Sequence, residues 1–448
     1  MDFDEYSFAD LLSNIVDNRG KTCPVDDKGF PLIATNCIKD DSLYPVFEKV
    51  RFVSDDTYKN WFRGHPNAGD IIFVCKGSPG RVAWVKEPVS FCIAQDMVAI
   101  RADQRVVDPM FLFSLLRSEQ VINKINNMHV GTLIPHFKKG DFKNLYLSIP
   151  RDLKLQRAIG LFYFSLSEKI EKNKEINKTL EQMAQALFKS WFVDFEPVKA
   201  KMAVLEEGGS QEDATLAAMT AISGKNADVL AVFEREHPEQ YAELKATAEL
   251  FPSAMQDSEL GEIPVTWEMG KLQDLLVLQR GFDLPSSARK DGEFSLIAAS
   301  GPNGTHNVAM AKAPGVVTGR SGVLGKVYLT LEDYWPLNTT LWVKEFKRAT
   351  PCYAYELLRL LDMKAFNAGS AVPSLNRNHI HSLSYPLPPM ELVNLFESSA
   401  LLLHQRAHVN LKHSQSLALL RDTLLPKLLS GEITLPEAEQ AVSEAENV

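Results

Sequence analysis

Two stretches of the sequence, Ile71–Val82 (IIFVCKGSPGRV) and Val316–Val327 (VVTGRSGVLGKV), carry one pattern twice. Each begins with an apolar run, continues through a turn with two glycines, and ends on a basic residue followed by valine. Equivalent pairs flank these stretches: Arg19-Gly20 with Arg280-Gly281 before them, and Ile149-Pro150 with Leu387-Pro388 after them. Such a repeat predicts two copies of one module with pseudo-two-fold symmetry, suited to a target that has two halves.

Length and composition limit the class of protein. A chain of 448 residues with 45% hydrophobic content predicts two or three domains with cores of their own. The N-terminus (MDFDEYSF) is acidic, unlike a signal peptide, and no stretch of about eighteen apolar residues occurs. The cysteines never show CxxC spacing and indicate reduced thiols in a cytoplasmic protein without membrane contact: Cys23, Cys37, Cys75, Cys92 and Cys352.

The distribution of charge matters more than the net charge of −9. Residues 1–197 carry 26 basic and 26 acidic side chains, and residues 198–262 carry 5 and 13. Residues 263–431 carry 17 and 13, and the tail from Glu432 adds five acids. Because the acidity lies mainly in the spacer and the tail, both modules remain able to present basic faces to nucleic acid.

Each module is predicted to mix strands and helices. The first alternates apolar runs with turns and predicts strands at Ile71–Val74, Val82–Val85, Met97–Ile100 and Leu145–Ile149, with one helix at Pro109–Asn127. The second predicts strands at Val316–Thr318, Lys326–Thr330 and Thr340–Val343, with a helix at Cys352–Met363. The spacer predicts three short helices at Glu212–Ile222, Ala227–Glu234 and Glu239–Leu250.

Two helices of about forty residues follow the modules. The first has apolar residues at Leu155, Ile159, Phe162, Leu166, Ile170, Ile176, Leu180, Met183, Leu187 and Trp191, and the second at Leu392, Phe396, Leu402, Val409, Leu417, Leu420 and Leu424. Their spacing averages close to 3.5 residues and favours a coiled-coil seam, although two amphipathic helices docked on separate domains remain an alternative. Polar residues that dilute the middle of the seam would fix its register: Asn173, Arg406, Asn410 and His413.

The candidate catalytic motifs in this sequence lack residues that the corresponding chemistry requires. The run Gly322–Lys326 resembles part of a phosphate-binding loop, but Arg320 replaces its first glycine and Val327 replaces its hydroxyl residue. An adenine methyltransferase would need a polar residue before Pro388-Pro389, where Leu387 stands. The isolated histidines suggest no metal site. We therefore expect a binding protein without catalytic residues or a cofactor of its own.

The segments before the two long helices are the stronger functional candidates. Both share glycine, a small residue, an apolar pair and proline, and then diverge in their polar side chains. Such divergence on a shared frame is expected of two readers of different DNA sequences, because Lys and Arg pair with guanine or phosphate and Asn pairs with adenine. Together with the glycine hairpins they give these candidate DNA-binding residues: Lys76, Ser78, Arg81, Thr132, His136, Lys138, Lys139, Arg320, Ser321, Lys326, Ser374, Asn376, Arg377 and Asn378.

Three further strings carry a family resemblance. Gly261–Trp267 (GEIPVTW) enters the second module, Lys189–Pro197 (KSWFVDFEP) closes the first long helix, and Leu425–Ile433 (LPKLLSGEI) closes the second. With these strings the chain resembles, over essentially its full length, the specificity subunit of type I restriction-modification systems. The first module departs from the family pattern because it lacks the Gly-x-Ile-Pro-x-x-Trp entry.

The resemblance implies an α+β fold with two mixed α/β target-recognition domains joined by two long antiparallel coiled-coil helices. The expected segments are recognition domain 1 at 1–148, long helix 1 at 149–197, an acidic spacer at 198–262, recognition domain 2 at 263–386, long helix 2 at 387–431 and an acidic tail at 432–448. Each domain would read half of a bipartite, asymmetric site in double-stranded DNA, and the helices would set the spacer length.

The resemblance also implies partners. The chain would recruit two modification subunits, which use S-adenosylmethionine, and two restriction subunits, which are motor nucleases that use ATP and magnesium. Two alternatives remain from the residues themselves: a stand-alone DNA methyltransferase with divergent motifs, and a coiled-coil scaffold that binds only proteins.

Overall fold

The computed structural model describes residues 2–18, 21–128, 135–367 and 373–446. Contacts between residues divide the chain into two compact units. Unit 1 comprises Met1–Ile176 together with Asn410–Val448, and unit 2 comprises Asn177–Val409. Each unit mixes strands and helices around a hydrophobic core of its own, as the repeat predicts.

Unit 1 contains a four-stranded sheet and a three-stranded sheet. Its first elements are β1 (Phe3–Ser7), β2 (Leu12–Asp17), β3 (Phe30–Ile33), β4 (Arg51–Val53), β5 (Ile71–Val74), β6 (Val82–Trp84), β7 (Cys92–Ile93), β8 (Met97–Ala102), α1 (Pro109–Leu116), α2 (Glu119–Asn127) and β9 (Tyr146–Pro150). The larger sheet has the antiparallel order β2-β8-β5-β6, and the smaller has the order β4-β3-β7. Strand β5 is buried along its whole length, which explains its continuous apolar run.

The prediction of a single helix at Pro109–Asn127 is wrong, because this segment forms two helices. The carboxylate of Asp108 accepts from the first amides of α1, and the hydroxyl of Ser118 accepts from the amide of Val121 at the start of α2. A serine that caps a new helix satisfies amides that would otherwise lack partners. Ser118 therefore ends one helix and begins the next.

The first long helix, α3 (Leu153–Phe192), contributes residues to both units. In unit 2 it is followed by the short helices α4 (Glu196–Glu206), α5 (Gln211–Ser223), α6 (Ala227–Glu236) and α7 (Pro238–Glu249). The last three confirm the spacer helices expected from the sequence, and α4 was not predicted. A small core joins α5, α6 and α7 and is formed by Ala218, Met219, Leu230 and Ala248.

Unit 2 repeats the sheet topology of unit 1. Its further elements are β10 (Met255–Ser258), β11 (Gly261–Pro264), β12 (Glu268–Lys271), α8 (Leu272–Leu275), β13 (Leu276–Arg280), β14 (Phe294–Ala298), β15 (Gly301–His306), β16 (Gly315–Gly319), β17 (Val327–Thr330), β18 (Tyr334–Pro336), β19 (Thr340–Phe346), α9 (Pro351–Leu360), α10 (Arg377–His381) and β20 (Ser384–Leu387). The order β13-β19-β16-β17 matches β2-β8-β5-β6, and β15-β14-β18 matches β4-β3-β7. These matching sheets confirm two copies of one module.

The strands that lead into the long helices are also equivalent. In unit 1, β1 pairs antiparallel with β9, and in unit 2, β12 pairs antiparallel with β20. The second long helix, α11 (Met390–Ser430), begins after β20, and α12 (Leu435–Glu446) follows it. The helix α12 packs on the core of unit 1 through Ala438 and Val442, although the sequence indicated only an acidic tail there.

The two long helices are antiparallel within each unit. In unit 1, Asn173 Nδ2 donates to Ser414 Oγ (3.1 Å), and Arg421 Nη1 donates to Ser167 Oγ (3.2 Å). In unit 2, Asn177 Nδ2 donates to the carbonyl of Ala407 (2.9 Å). Side-chain amides and hydroxyls therefore make contacts in the middle of each helix, and buried polar groups of this kind specify alignment.

The structure corrects the predicted seam at four positions. Ile176, Met183, Leu402 and Val409 were expected between the helices, but their side chains are exposed, with Leu402 at 66%. Asn410 and Ser414 are buried instead. A spacing of three and four residues identifies a face of a helix without identifying its neighbour, so the apolar pattern did not show that these residues face outward.

Glycines with positive φ shape the hairpin in each unit. Gly77 has φ +88° between β5 and β6, and Gly322 has φ +83° between β16 and β17. A side chain added at either position would meet no atom within 4 Å, so the requirement for glycine comes from the backbone alone. This conformation explains why glycine recurs at equivalent places in the two copies.

A buried carboxyl lies beside the long helices of unit 2. Glu356 of α9 is only 1% exposed, and it contacts Arg359, which also pairs with Glu181 of α3 (3.0 Å). Burial raises the pKa of Glu356 to about 7, while Arg359 acts in the opposite direction. The carboxyl thus exchanges its proton near neutral pH in the folded chain.

We expect Gly77→Ala to destabilise unit 1 by about 1 kcal/mol, because alanine tolerates a left-handed backbone poorly. Thermal unfolding measures the change. Gly140→Ala is the matched control, since Gly140 has no positive φ and also faces open space. Equal melting temperatures for both variants would contradict the backbone explanation.

We expect Glu356→Gln to raise stability relative to the wild type as the pH increases. Between the ordinary carboxyl pKa of 4.5 and about 7, the folded state holds more protons at Glu356 than the unfolded state, so this group lowers the free energy of unfolding as pH rises. Glutamine does not titrate, so the variant does not lose free energy of unfolding in this way. Melting temperatures of both proteins from pH 5 to pH 8 test the prediction.

Exposed Glu239→Gln controls for the loss of one charge. The difference in melting temperature between Glu356→Gln and the wild type could instead stay constant with pH, or favour the wild type at pH 8. Either result would show that Glu356 is charged in the folded state throughout this range.

Candidate nucleic-acid interface

A backbone bridge joins the glycine hairpin of each unit to the segment that precedes its long helix. In unit 1, the amide of Gly77 donates to the carbonyl of Pro135 (3.0 Å), and the amide of Phe137 donates to the carbonyl of Cys75 (2.8 Å). These two bonds enclose an antiparallel pair formed by Lys76 and His136. Two segments that are about sixty residues apart in sequence thus form one short two-stranded surface.

Unit 2 contains the same bridge at equivalent residues. The amide of Gly322 donates to the carbonyl of Pro373 (2.9 Å), and the amide of Leu375 donates to the carbonyl of Arg320 (2.9 Å). The enclosed pair is Ser321 with Ser374. The structure therefore brings together the hairpins and the pre-helix segments that the sequence singled out separately.

The pattern of these bonds fixes the direction of the enclosed side chains. In an antiparallel pair flanked by hydrogen bonds on both sides, the two Cα atoms lie about 4.5 Å apart and the side chains are neighbours on one face. Cys75 and Phe137, next to the pair in unit 1, are buried. Because side chains alternate between faces, Lys76 and His136 point outward, and both are exposed.

The cations of unit 1 differ in whether a carboxylate lies beside them. Arg81 Nε lies 3.2 Å from Asp40 Oδ2, and Lys139 Nζ lies 3.3 Å from Asp17 Oδ2. Such exposed ion pairs contribute little to stability and are readily exchanged for another anion. Lys76 and Lys138 are exposed and have no side-chain partner among the residues that the structure describes.

The polar residues of unit 2 lie around its own bridge. Lys326 Nζ donates to the carbonyl of Ser300 (3.3 Å) and lies 6.0 Å from the centre of the Tyr328 ring. Arg320 is half-buried, and its Nη1 lies 3.4 Å from the carbonyl of Asn338. These two cations of the hairpin are thus held by neutral acceptors, whereas two cations in unit 1 are held by carboxylates.

A short helix follows the bridge in unit 2, which the sequence did not predict. Asn376 caps α10, because its Oδ1 accepts from the amide of Asn378 (3.0 Å). Asn376 is exposed and also has a local structural role at the start of this helix. Arg377 and Asn378 are exposed on the first turn of this helix, and Arg377 has no side-chain partner within the described part of the chain.

The remaining candidates are less central. Ser78 is half-buried in the hairpin of unit 1. Thr132 lies outside the described residues. The acidic partners Asp17 and Asp40 were not anticipated, because each is far in sequence from the cation that it meets, and local patterns carry no signal for such pairs.

The chemistry of both surfaces is limited to donating and accepting hydrogen bonds and to neutralising negative charge. Within residues 2–18, 21–128, 135–367 and 373–446, no three His, Cys, Asp or Glu side chains are grouped so as to hold a metal ion. No helix in the same residues is both long and apolar enough to cross a bilayer. Exposed amines, imidazole, amides and hydroxyls on a stiff frame suit recognition of a polyanion.

The chain is similar to known proteins over most of its length. Residues 23–182 match the family described as the type I restriction modification DNA specificity domain. The type I restriction enzyme HindI specificity subunit of Haemophilus influenzae is 30% identical over 403 residues, covering 82% of this chain and 86% of that protein. The type I restriction enzyme MjaIX specificity subunit of Methanocaldococcus jannaschii is 23% identical over 380 residues, covering 82% of this chain and 78% of that protein.

The fold also has a counterpart among solved structures. The type I restriction-modification S subunit from M. genitalium superimposes with a TM-score of 0.56 over 96% of both chains, at 15% identity. That similarity confirms the α+β fold class expected from the sequence. With a 30% identical relative covered over most of both lengths, the chain belongs to the family of type I restriction enzyme specificity subunits.

Proposed function

We propose that this chain selects the DNA sequence for a type I restriction-modification complex and has no catalytic activity of its own. Each unit would bind one half of a bipartite, asymmetric site in double-stranded DNA. The observation that carries the proposal is the repeated backbone bridge, which presents Lys76 with His136 in unit 1 and Ser321 with Ser374 in unit 2. One frame with two sets of polar side chains suits two different half-sites.

Exposed cations around each bridge support DNA as the ligand. Lys76 and Lys138 of unit 1 and Arg377 of unit 2 present charges that the described residues leave unpaired. A polyanion gains most from such groups, because binding releases the counterions condensed on the phosphates. We infer a cytoplasmic location, since the proposed substrate is cellular DNA.

Exposed apolar residues on the long helices support protein partners. Leu402, Val409 and Leu419 of α11 are 66%, 56% and 70% exposed, and Met183 of α3 is 52% exposed. Large apolar side chains that recur along one element are typical of surfaces that bind other proteins. Two modification subunits with S-adenosylmethionine and two restriction subunits with ATP and magnesium would complete the complex, and the present chain would hold none of these cofactors.

Exchange of one module tests the proposal. Residues 1–148 are replaced by the first module of another specificity subunit, and the full chain, assembled with the modification subunit of its own system, selects duplexes from a randomised DNA pool. We expect only one half of the selected motif to change, because unit 2 keeps its residues. Sequencing of the selected DNA gives both half-sites directly.

Two outcomes would contradict the proposal. Selection of no motif by the wild-type complex would exclude sequence recognition. Transfer of a labelled methyl group to DNA by the purified chain alone would favour a stand-alone methyltransferase. The reciprocal exchange of residues 263–386 is the matched control, and it should change the other half of the motif.

The continuity of both long helices leads to a second expectation. Four residues inserted after Asn177 in α3, with four inserted after Val409 in α11, lengthen each helix by ~6 Å and about one turn, which keeps the facing residues close to their original phase. We expect the spacer between half-sites to grow by about two base pairs while both half-sites stay the same. The same randomised pool measures the spacer.

Four alanines inserted after Gly224, between α5 and α6, provide the control, because this insertion changes chain length without changing the long helices. An unchanged spacer in a doubly lengthened chain that still folds and binds would show that the helices do not set the distance.

A further inference from the structure

The two bridges allow a position-by-position comparison within one chain. Counted from Gly77 and Gly322, Lys76 corresponds to Ser321, and Arg81 corresponds to Lys326. Counted from Pro135 and Pro373, His136 corresponds to Ser374, and Lys139 corresponds to Arg377. The positions four residues after each glycine and each proline are therefore basic in both units. The enclosed pair differs, because it is a lysine with a histidine in unit 1 and two serines in unit 2.

The chemistry of DNA gives this difference a meaning. The phosphate backbone is the same in both halves of an asymmetric site, so one kind of contact serves both units. The bases differ between the halves, so the groups that read them must differ as well. Residues that keep their charge between the copies therefore fit phosphate, and residues that change fit base edges.

We propose that Lys76 and His136 form the base-reading pair of unit 1 and together donate to the acceptors N7 and O6 of a guanine in the first half-site. Arg81 and Lys139, with Lys326 and Arg377 in unit 2, bind phosphates. This inference rests on the proposed function, because it names the base that one DNA-reading surface takes. Guanine offers two adjacent acceptors in the major groove, and lysine is a donor that pairs with them.

The geometry of the bridge supports base reading by this pair. Two backbone bonds of 2.8 and 3.0 Å hold Lys76 against His136, and the neighbouring Phe137 is fully buried. Specific recognition requires donors whose positions are fixed by their support, whereas a phosphate contact tolerates a mobile side chain. No described residue accepts a hydrogen bond from either side chain, so both remain available to a ligand.

The shared cations of unit 1 show the opposite character. Arg81 and Lys139 already neutralise exposed carboxylates, Asp40 at 3.2 Å and Asp17 at 3.3 Å. A DNA phosphate can replace such a carboxylate with little change in geometry, because both present anionic oxygens to the same donor. Where no phosphate lies close enough to displace them, Asp40 and Asp17 would repel the DNA and weaken its binding.

The double variant Lys76→Ser with His136→Ser gives unit 1 the enclosed pair of unit 2. With the full chain assembled with its modification subunit, selection from a randomised duplex pool should show loss of preference for guanine at one position of the first half-site, by about 10-fold or more. The second half-site should not change, because its own pair is intact.

Lys139→Ser is the matched control, since it removes one exposed cation from a position that is basic in both units. We expect it to weaken binding to all sequences and to reduce by about one the slope of log affinity against log salt concentration, without changing the selected motif. The reverse variant, Ser321→Lys with Ser374→His, should add a guanine preference to the second half-site.

Several results separate failure of this inference from failure of the proposed function. A uniform loss over all sequences for the double serine variant, with a lower salt slope, would show that Lys76 and His136 contact phosphate and would overturn the inference. An unchanged motif in that variant would overturn it equally. A wild-type complex that selects no bipartite motif would instead overturn the proposed function. Melting temperatures equal to the wild type confirm that each variant is folded.

Discussion

The backbone bridge between the hairpin and the pre-helix segment is the constraint on which each candidate recognition surface depends. A turn that projects from a sheet has amides and carbonyls that need partners, and the bridge supplies them through Gly77 with Pro135 and Gly322 with Pro373. Because the adjacent Phe137 and Leu375 are buried, the bridge is fixed to the core of its unit. The outward side chains can therefore change without loss of the frame that carries them.

The long helices combine apolar ends with a polar middle. In unit 2, Phe188 packs against Phe396 with ring centroids 5.6 Å apart, and in unit 1, Leu417 and Leu424 join the hydrophobic core. Between these contacts, buried Asn410 and Ser414 replace hydrophobic residues. Such polar groups stabilise less than leucine would, but only one alignment of the helices satisfies them. Leu402, on the same helix, is 66% exposed and does not take part in this alignment.

The sequence predicted the parts of the fold that local patterns encode. The strand at Ile71–Val74 was predicted with its observed bounds, and the helices of the spacer were found near their expected places. Errors arose where a distant or competing contact decides the structure. Ser118 caps a second helix inside a continuous apolar pattern, and Asp40 meets Arg81 across a long stretch of sequence. The candidate site residues remain predictions, although the bridge brings several of them together.

The distribution of charge also explains how an acidic chain can bind DNA. The acidic residues are concentrated in the spacer and the tail, where α4–α7 and α12 form, while exposed cations surround each bridge. Association with a polyanion depends on the local field more than on the net charge of −9. If phosphate contacts are equal in the two units, they raise affinity for all DNA alike, and the small pairs at the bridges must supply the discrimination. Weaker phosphate contacts would then lower affinity for every sequence alike, and the ratio of specific to non-specific affinity would depend on the base-reading pairs.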